Sequence, residues 1–252
     1  MAEAGRVLIV GESWVTHSIH QKGFDSFTTT SYHEGVGPLR DALLDGAYAV
    51  DYLPNHLAAS HFPESADDLA RYGAVILSDI GANTLQLHPD TFDRSVPHAD
   101  RLRVVRDYVA AGGGLIMVGG YLSFQGIDAR ARYAGTPVEE ALPVSLERVD
   151  DRVETPGGAA PSVRLPDHPI VAGVSGAWPQ LLGYNRVQAK PGADMVVSVG
   201  PDPLIVAGRF EQGRSAVFTS DCGPHWCPPP FVDWEGYPVL WRQLVAWVFG
   251  RD

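Results

Sequence analysis

The chain has 252 residues, 45% of them hydrophobic, which is enough to bury one large core. Its 30 Asp and Glu against 19 Lys and Arg give a formal charge of -11, so a phosphate backbone finds nothing to neutralise, and no nucleic acid is expected as a partner. No apolar run reaches membrane length, no leader pattern precedes the first strand, and two cysteines, Cys222 and Cys227, make no disulfide framework; a cytoplasmic protein is expected. In chain order, Arg6 to Val10 reads as the first strand, followed by a long polar loop carrying Glu12, Ser13, Trp14, His17, His20, Lys22 and Asp25. A helix is expected near Leu39 to Leu44, a strand near Val50 to Leu53, a short helix over Asp67 to Tyr72, and a strand from Ala74 that ends in Ser78 and Asp79.

Asp100 to Ala110 has apolar residues at helical spacing, and Gly112, Gly113 and Gly114 stop it before the strand Leu115 to Val118. After Pro143 the pattern shifts to short extended runs between Pro and Gly turns: Val144 to Val153, Ser162 to Leu165, Met195 to Val199, Leu204 to Ala207 and Ala216 to Ser220. Thr155 to Pro161 reads as a mobile surface loop, and Tyr237 to Phe249 as a closing helix. Strands crossed over by helices and then antiparallel runs predict an α/β fold, a mostly parallel sheet with a mixed or antiparallel extension. With no linker in view, residues 1–252 are expected to form one domain.

The turn from Val118 through Gly119, Gly120 and Tyr121 to Phe124 resembles the point where class I glutamine amidotransferases carry a nucleophilic Cys on a strand-to-helix elbow; here that position is Tyr121. The run Gly213 to Asp221 followed by His225 resembles the strand and loop that supply the family's catalytic His. Segments Gly11 to Trp14, His20 to Asp25 and Asp221 to Trp226 are similar to those of the branch described as "putative glutamine amidotransferase". His168 to Gly173 and the turn at Gly213 to Ser215 are similar to trehalose-utilisation proteins and to the trimerisation domain of some β-galactosidases. The resemblance implies a flavodoxin-like three-layer sandwich, and a chain that lacks the thiol needed for amidotransfer.

The residues themselves point to the carboxyl ends of the parallel strands, where such sheets gather ligands. His225, Tyr121, Ser123 and Asp221 are the catalytic candidates, with Glu12, Trp14, His17, His20, Asp79 and Cys222 as ligand-binding candidates. Gly120 to Ser123 departs from a serine-hydrolase elbow, and Cys222 near His225 reads as a small buried hydrophobe before a nucleophile. His17 and His20, three apart, would share one face of a helical turn and reach a metal with Glu12 or Asp79, although no specific metal spacing supports this and no metal or cofactor is assigned. Trp14, Phe24, Phe27 and Tyr32 would line a sugar-sized pocket or else pack as core. No phosphate or dinucleotide loop occurs. The expectation is a site for a small, polar, sugar-related metabolite, with noncanonical hydrolase or lyase chemistry left open. The rival is a catalytically silent assembly module. Trp226, Trp234, Trp241 and Trp247 are too many for one terminal helix to bury, which predicts a homo-oligomer.

Overall fold

The computed structural model describes residues 5–250. Strand β1 (Arg6–Gly11) leads into a ribbon of β2 (Ser13–Lys22) and β3 (Asp25–Glu34), then α1 (Gly37–Leu44), β4 (Ala49–Leu53), α2 (Asn55–His61), α3 (Ala66–Leu69) and β5 (Ala74–Ser78). Helices α4 (Ala82–Gln86), α5 (Pro89–Arg94) and α6 (Arg101–Ala110) precede β6 (Gly114–Val118). Then come α7 (Pro137–Ala141), β7 (Val144–Leu146), β8 (Arg152–Ala159), β9 (Pro161–Val163), β10 (Leu181–Asn185) and β11 (Val187–Ala189). The chain finishes with β12 (Asp194–Val199), β13 (Asp202–Phe210), β14 (Gly213–Phe218), α8 (Pro229–Val232) and α9 (Gly236–Val248).

An eight-stranded sheet in the order β4-β1-β5-β6-β14-β13-β12-β9 forms the middle layer. The first five run parallel, and β13, β12 and β9 extend it antiparallel, as the change of pattern after Pro143 predicts. Alternation sorts the strand residues onto two faces. Val7, Ile9, Ile76, Val118 and Phe218 pack under α1 and α9 with Leu39, Leu240, Trp241 and Leu244. Leu8, Val10, Leu77, Met117 and Val217 pack on the other face with Leu102, Val105 and Val109 of α6. Both faces are covered, so the central strands read as continuous apolar runs.

Helix α6 is capped by Asp100, whose carboxylate accepts the N–H groups of Leu102 and Arg103. The next residue, Arg101, is fully buried, and its guanidinium donates to the carbonyls of Leu85, Ala58 and Thr84. Those carbonyls lie in the last turns of α2 and α4, where a cation complements the helix dipole. One side chain thereby ties three helices together on this face.

Three expectations are corrected. The polar stretch after β1 is a long antiparallel hairpin, in which the β-branched Val15, Thr16, Ile19, Thr28, Thr29 and Thr30 favour extended backbone. Thr155 to Ala159 belongs to β8, held by β10 against the sheet's carboxyl side. The tryptophans do not form an exposed set: Trp226, Trp241 and Trp247 are buried, and Trp234 is half-buried against Trp178 and Phe231. They give no reason for an oligomer. Trp241→Ala, which removes a fully buried indole packed on Phe218 and Tyr237, is expected to cost about 3–5 kcal/mol of unfolding free energy by urea denaturation.

Candidate functional site

Four adjacent parallel strands, β1, β5, β6 and β14, deliver their next residues to one edge of the sheet. There Glu12, Trp14, Asp79, Tyr121, Asp221, Pro224 and His225 line a cleft of about 350 Å³. Glu12 and Asp79 directly follow β1 and β5, and both take left-handed backbone conformations, with φ of 50° and 43°. Such conformations cost free energy in non-glycine residues and turn these side chains sharply off the strand ends into the cleft. The Glu12 N–H donates to the Ser78 carbonyl at 2.8 Å, which locks one turn to the end of the other strand. Gly35 closes over Glu12, and a Cβ there would stand 2.5 Å from Oε1.

Glu12 is 3% exposed and accepts a 2.5 Å hydrogen bond from the Ser78 hydroxyl. Burial, and next the nearby Asp79 carboxylate, push its carboxyl from the usual 4.5 up to about 7. Asp221 is raised well above the ordinary carboxylate range by burial and then by Glu12 and Asp79. Asp79 is raised by burial, opposed by the 2.7 Å bond from the Leu122 N–H and by His225. Among the described residues no Lys or Arg forms an ion pair with any of the three. Together they are a proton-holding group in which like charges disfavour full ionisation.

Tyr121 and His225 form the facing wall, with ring centroids 4.5 Å apart. Arg152 lies 4.9 Å over the Tyr121 ring, and Glu154 receives both the Tyr121 hydroxyl at 3.2 Å and the Trp226 N–H at 3.0 Å. Beneath this wall the buried Asp151 carboxylate accepts the N–H groups of Gln125 and Gly126 and the Asn185 amide, each at 2.8 Å, while Asn185 Oδ1 accepts the Gly120 N–H at 2.9 Å. This network holds the turn after β6. Gly120 is required there, since its φ is 149° and a Cβ would lie 2.8 Å from Asp79 Oδ1.

The expected residues divide. Glu12, Trp14, Asp79, Tyr121, Asp221 and His225 meet in the cleft. Ser123 does not line it: its buried hydroxyl accepts the Asp79 N–H at 3.1 Å and so fixes a cleft residue from behind. Cys222 is fully buried under Glu12, 3.6 Å from the Ser78 hydroxyl, and burial pushes its thiol up, away from thiolate. Both cysteines are free. His17 and His20 stand on the exposed β2, bonded to Thr30 and Thr29; three apart on a strand they face opposite sides, so the shared helical face does not exist. Phe24, Phe27 and Tyr32 lie on the same ribbon, outside the cleft. Arg152, Glu154, Asp151 and Asn185 escape the sequence reading because their segment carries no motif and only tertiary pairing of β8 with β10 brings it here.

Among the described residues, two groups of His, Cys, Asp or Glu have ligand atoms within 4.8 Å of one another. The first is Glu12, Asp221 and Cys222. There the thiol keeps its proton and Glu12 is engaged by Ser78, so protons satisfy the group as it stands. The second is Glu64, His88 and His98. His88 Nδ1 accepts the Asp90 N–H, which in the neutral ring leaves the proton on Nε2 and no lone pair for an ion.

The raised carboxyls have a consequence for stability. A folded-state pKa above the unfolded value means that the native state binds the proton more tightly, so this contribution is complete below pH 4.5 and is lost as pH rises through about 7. Denaturant titrations at pH 5 and pH 8 are expected to show the wild type losing up to about 3 kcal/mol, and Glu12→Gln losing markedly less.

The chain matches the family model described as "Putative glutamine amidotransferase" over residues 6–250. Two solved structures from Salmonella typhimurium are similar along nearly their whole length. Cytoplasmic protein STM3548 is 45% identical, with 96% of this chain and 98% of that one covered and a TM-score of 0.93. Cytoplasmic protein STM1381 is 44% identical, with 96% and 99% covered and the same TM-score. A ThuA-like protein from Bacteroides uniformis shares the fold at 10% identity and a TM-score of 0.54, covering 98% of this chain and 93% of its own. No curated protein matches. With a family match over almost its entire length and close relatives of the same fold, the chain belongs to the class I glutamine amidotransferase-like family described as putative glutamine amidotransferases.

Proposed function

We propose that the cleft binds a small polyhydroxylated metabolite of the sugar or sugar-acid class and transfers a proton to or from it, with Glu12 as the proton carrier. The observation that carries this reading is the buried Glu12 carboxyl, raised to about 7 and open to a cleft walled by Trp14, Tyr121 and His225. A carboxyl near neutrality delivers and recovers a proton at physiological pH, which is the requirement for general acid–base chemistry. Asp79 and Asp221 accept hydroxyl hydrogen bonds, and the exposed aromatic faces stack on the apolar face of a sugar ring. His225, exposed at the rim, contacts the substrate without supporting the core.

Glutamine amidotransfer is not part of this proposal, despite the family description. The position after β6 holds Tyr121, whose phenol is raised by burial and by Glu154. No α-helix starts at this turn, which runs through irregular backbone to a single 3-10 turn at Ile127–Ala129, so the elbow that presents a thiol beside helical N–H groups is not built here. A silent assembly module is the second reading, favoured by the projecting ribbon, but assembly alone gives no role to three carboxylates gathered at an open cleft. A cytoplasmic location is proposed from the two Salmonella relatives, and no helix among the described residues is long and apolar enough to cross a membrane.

A calorimetric and turnover screen of sugars, polyols and sugar acids tests the reading. Glu12→Gln is expected to lower turnover by on the order of 100-fold or more, and His225→Ala to weaken binding with a nearly unchanged melting temperature. Turnover is expected to survive a chelator; loss restored by a divalent ion would instead make the Glu12, Asp221 and Cys222 group a metal centre. No ammonia is expected from glutamine, and steady release abolished by Cys222→Ser would overturn the exclusion of amidotransfer.

A further inference from the structure

Beyond Trp14 at its base, the β2–β3 ribbon contributes nothing to the cleft. Each strand has ten residues, and β3 is exposed along its entire length. At about 3.3 Å per residue the ribbon reaches roughly 30 Å from the body. A lone two-stranded hairpin of this kind is marginal in water. Its tip residue Phe24 is completely exposed, and Ile19 is 76% exposed.

The free edge of β3 is also unprotected. Between Asp25 and Glu34 it reads Ser-Phe-Thr-Thr-Thr-Ser-Tyr-His, eight uncharged residues with no Pro, no Lys and no bulge against β2. Edges meant to stay alone carry such interruptions. The charge distribution agrees: the ribbon has only Lys22, Asp25 and Glu34 as formal charges, so most of the net charge of -11 lies on the body and would repel a second body, while the ribbon does not. At its base, Ser13, Trp14, Val15, Tyr32, Asn55 and His56 surround an apolar hollow of about 240 Å³ that no side chain of this copy fills.

We propose that the ribbon is a dimerisation arm that pairs, β3 to β3 and antiparallel, with the same strand of a second copy. A two-fold axis normal to the ribbon requires a residue to face its own equivalent. Centring the register on Thr29 sets Asp25 opposite His33 of the second copy and Thr28 opposite its Thr30. The arm tips then arrive at the opposite bases, where each Phe24 seats in the Trp14, Val15, Tyr32 hollow. Because Trp14 lines both that hollow and the cleft, each copy's tip finishes one wall of the other's site. With ten residues per strand plus Gly23 and Phe24, the arm alone approaches the ~20–30 residues a side of a standard interface.

The full chain is measured by sedimentation at micromolar concentration, as wild type, Thr29→Lys and Phe24→Ser. Thr29→Lys places two like charges face to face at the axis without touching the body. The wild type is expected to be a dimer, and both variants monomers with unchanged far-UV circular dichroism. In a second experiment the double variant Phe24→Cys, Val15→Cys is oxidised. It is expected to give a covalent dimer that neither single variant gives, since tip and base of one arm are too far apart to bridge within a chain. A monomeric wild type, or an oligomer that survives both substitutions, overturns the proposal, as does failure of the double variant to cross-link.

Discussion

Everything at the carboxyl edge of this sheet follows from gathering Glu12, Asp79 and Asp221 in one group that, among the described residues, no Lys or Arg pairs with and only His225 at the rim offsets. Three ionised carboxylates would be ruinous in such surroundings, so the group must hold protons, and the structure is arranged to let it. Ser78 donates to Glu12, and Leu122 and Gly223 donate backbone N–H groups to Asp79 and Asp221. The strained turns at Glu12 and Asp79 are the local cost of this arrangement, and the central strands over-determine them. A fold stabilised only for itself would place apolar residues here.

Much of the fold was legible because parallel strands covered on both faces leave an unmistakable trace. Val7 to Val10, Val75 to Leu77 and Leu115 to Val118 read as strands, and their neighbours Glu12, Asp79 and Tyr121 could be placed at one edge before any coordinates. Asp221 and His225 followed from β14 in the same way. The ribbon was misread because His17 and His20 invite a helical reading, while the β signal there is spread over Thr and Val without the clean alternation of a half-buried strand. The Arg152 and Glu154 wall was out of reach for a different reason. Pro156, Gly157 and Gly158 are turn residues by local preference, and they form the irregular stretch of β8 between its pairs with β10 at Glu154 and Ala159.

The departure from the amidotransferase elbow is equally local. The scaffold that would carry a thiol elbow is present, yet the chain after β6 turns back through Ser123, Gln125 and Gly126 onto Asp151 instead of entering a helix. A single substitution at Tyr121 could not restore the lost geometry, because the helix whose N–H groups would steady an oxyanion is missing along with the sulfur. Family membership therefore describes how this chain folds more closely than what its cleft does.

The ribbon leaves the body after Glu12 and returns at Gly35, and the Gly35 N–H bonds to the Glu12 carbonyl at 2.9 Å. Entry and exit are thus a single hydrogen-bonded doorway, and Ser13 and Glu34 form the first pair inside it. A cassette bounded in this manner can be shortened, lengthened or exchanged between relatives without re-registering any strand of the main sheet. The threshold itself has no such freedom, since Gly35 is pressed against the same Glu12 carboxylate that lines the cleft.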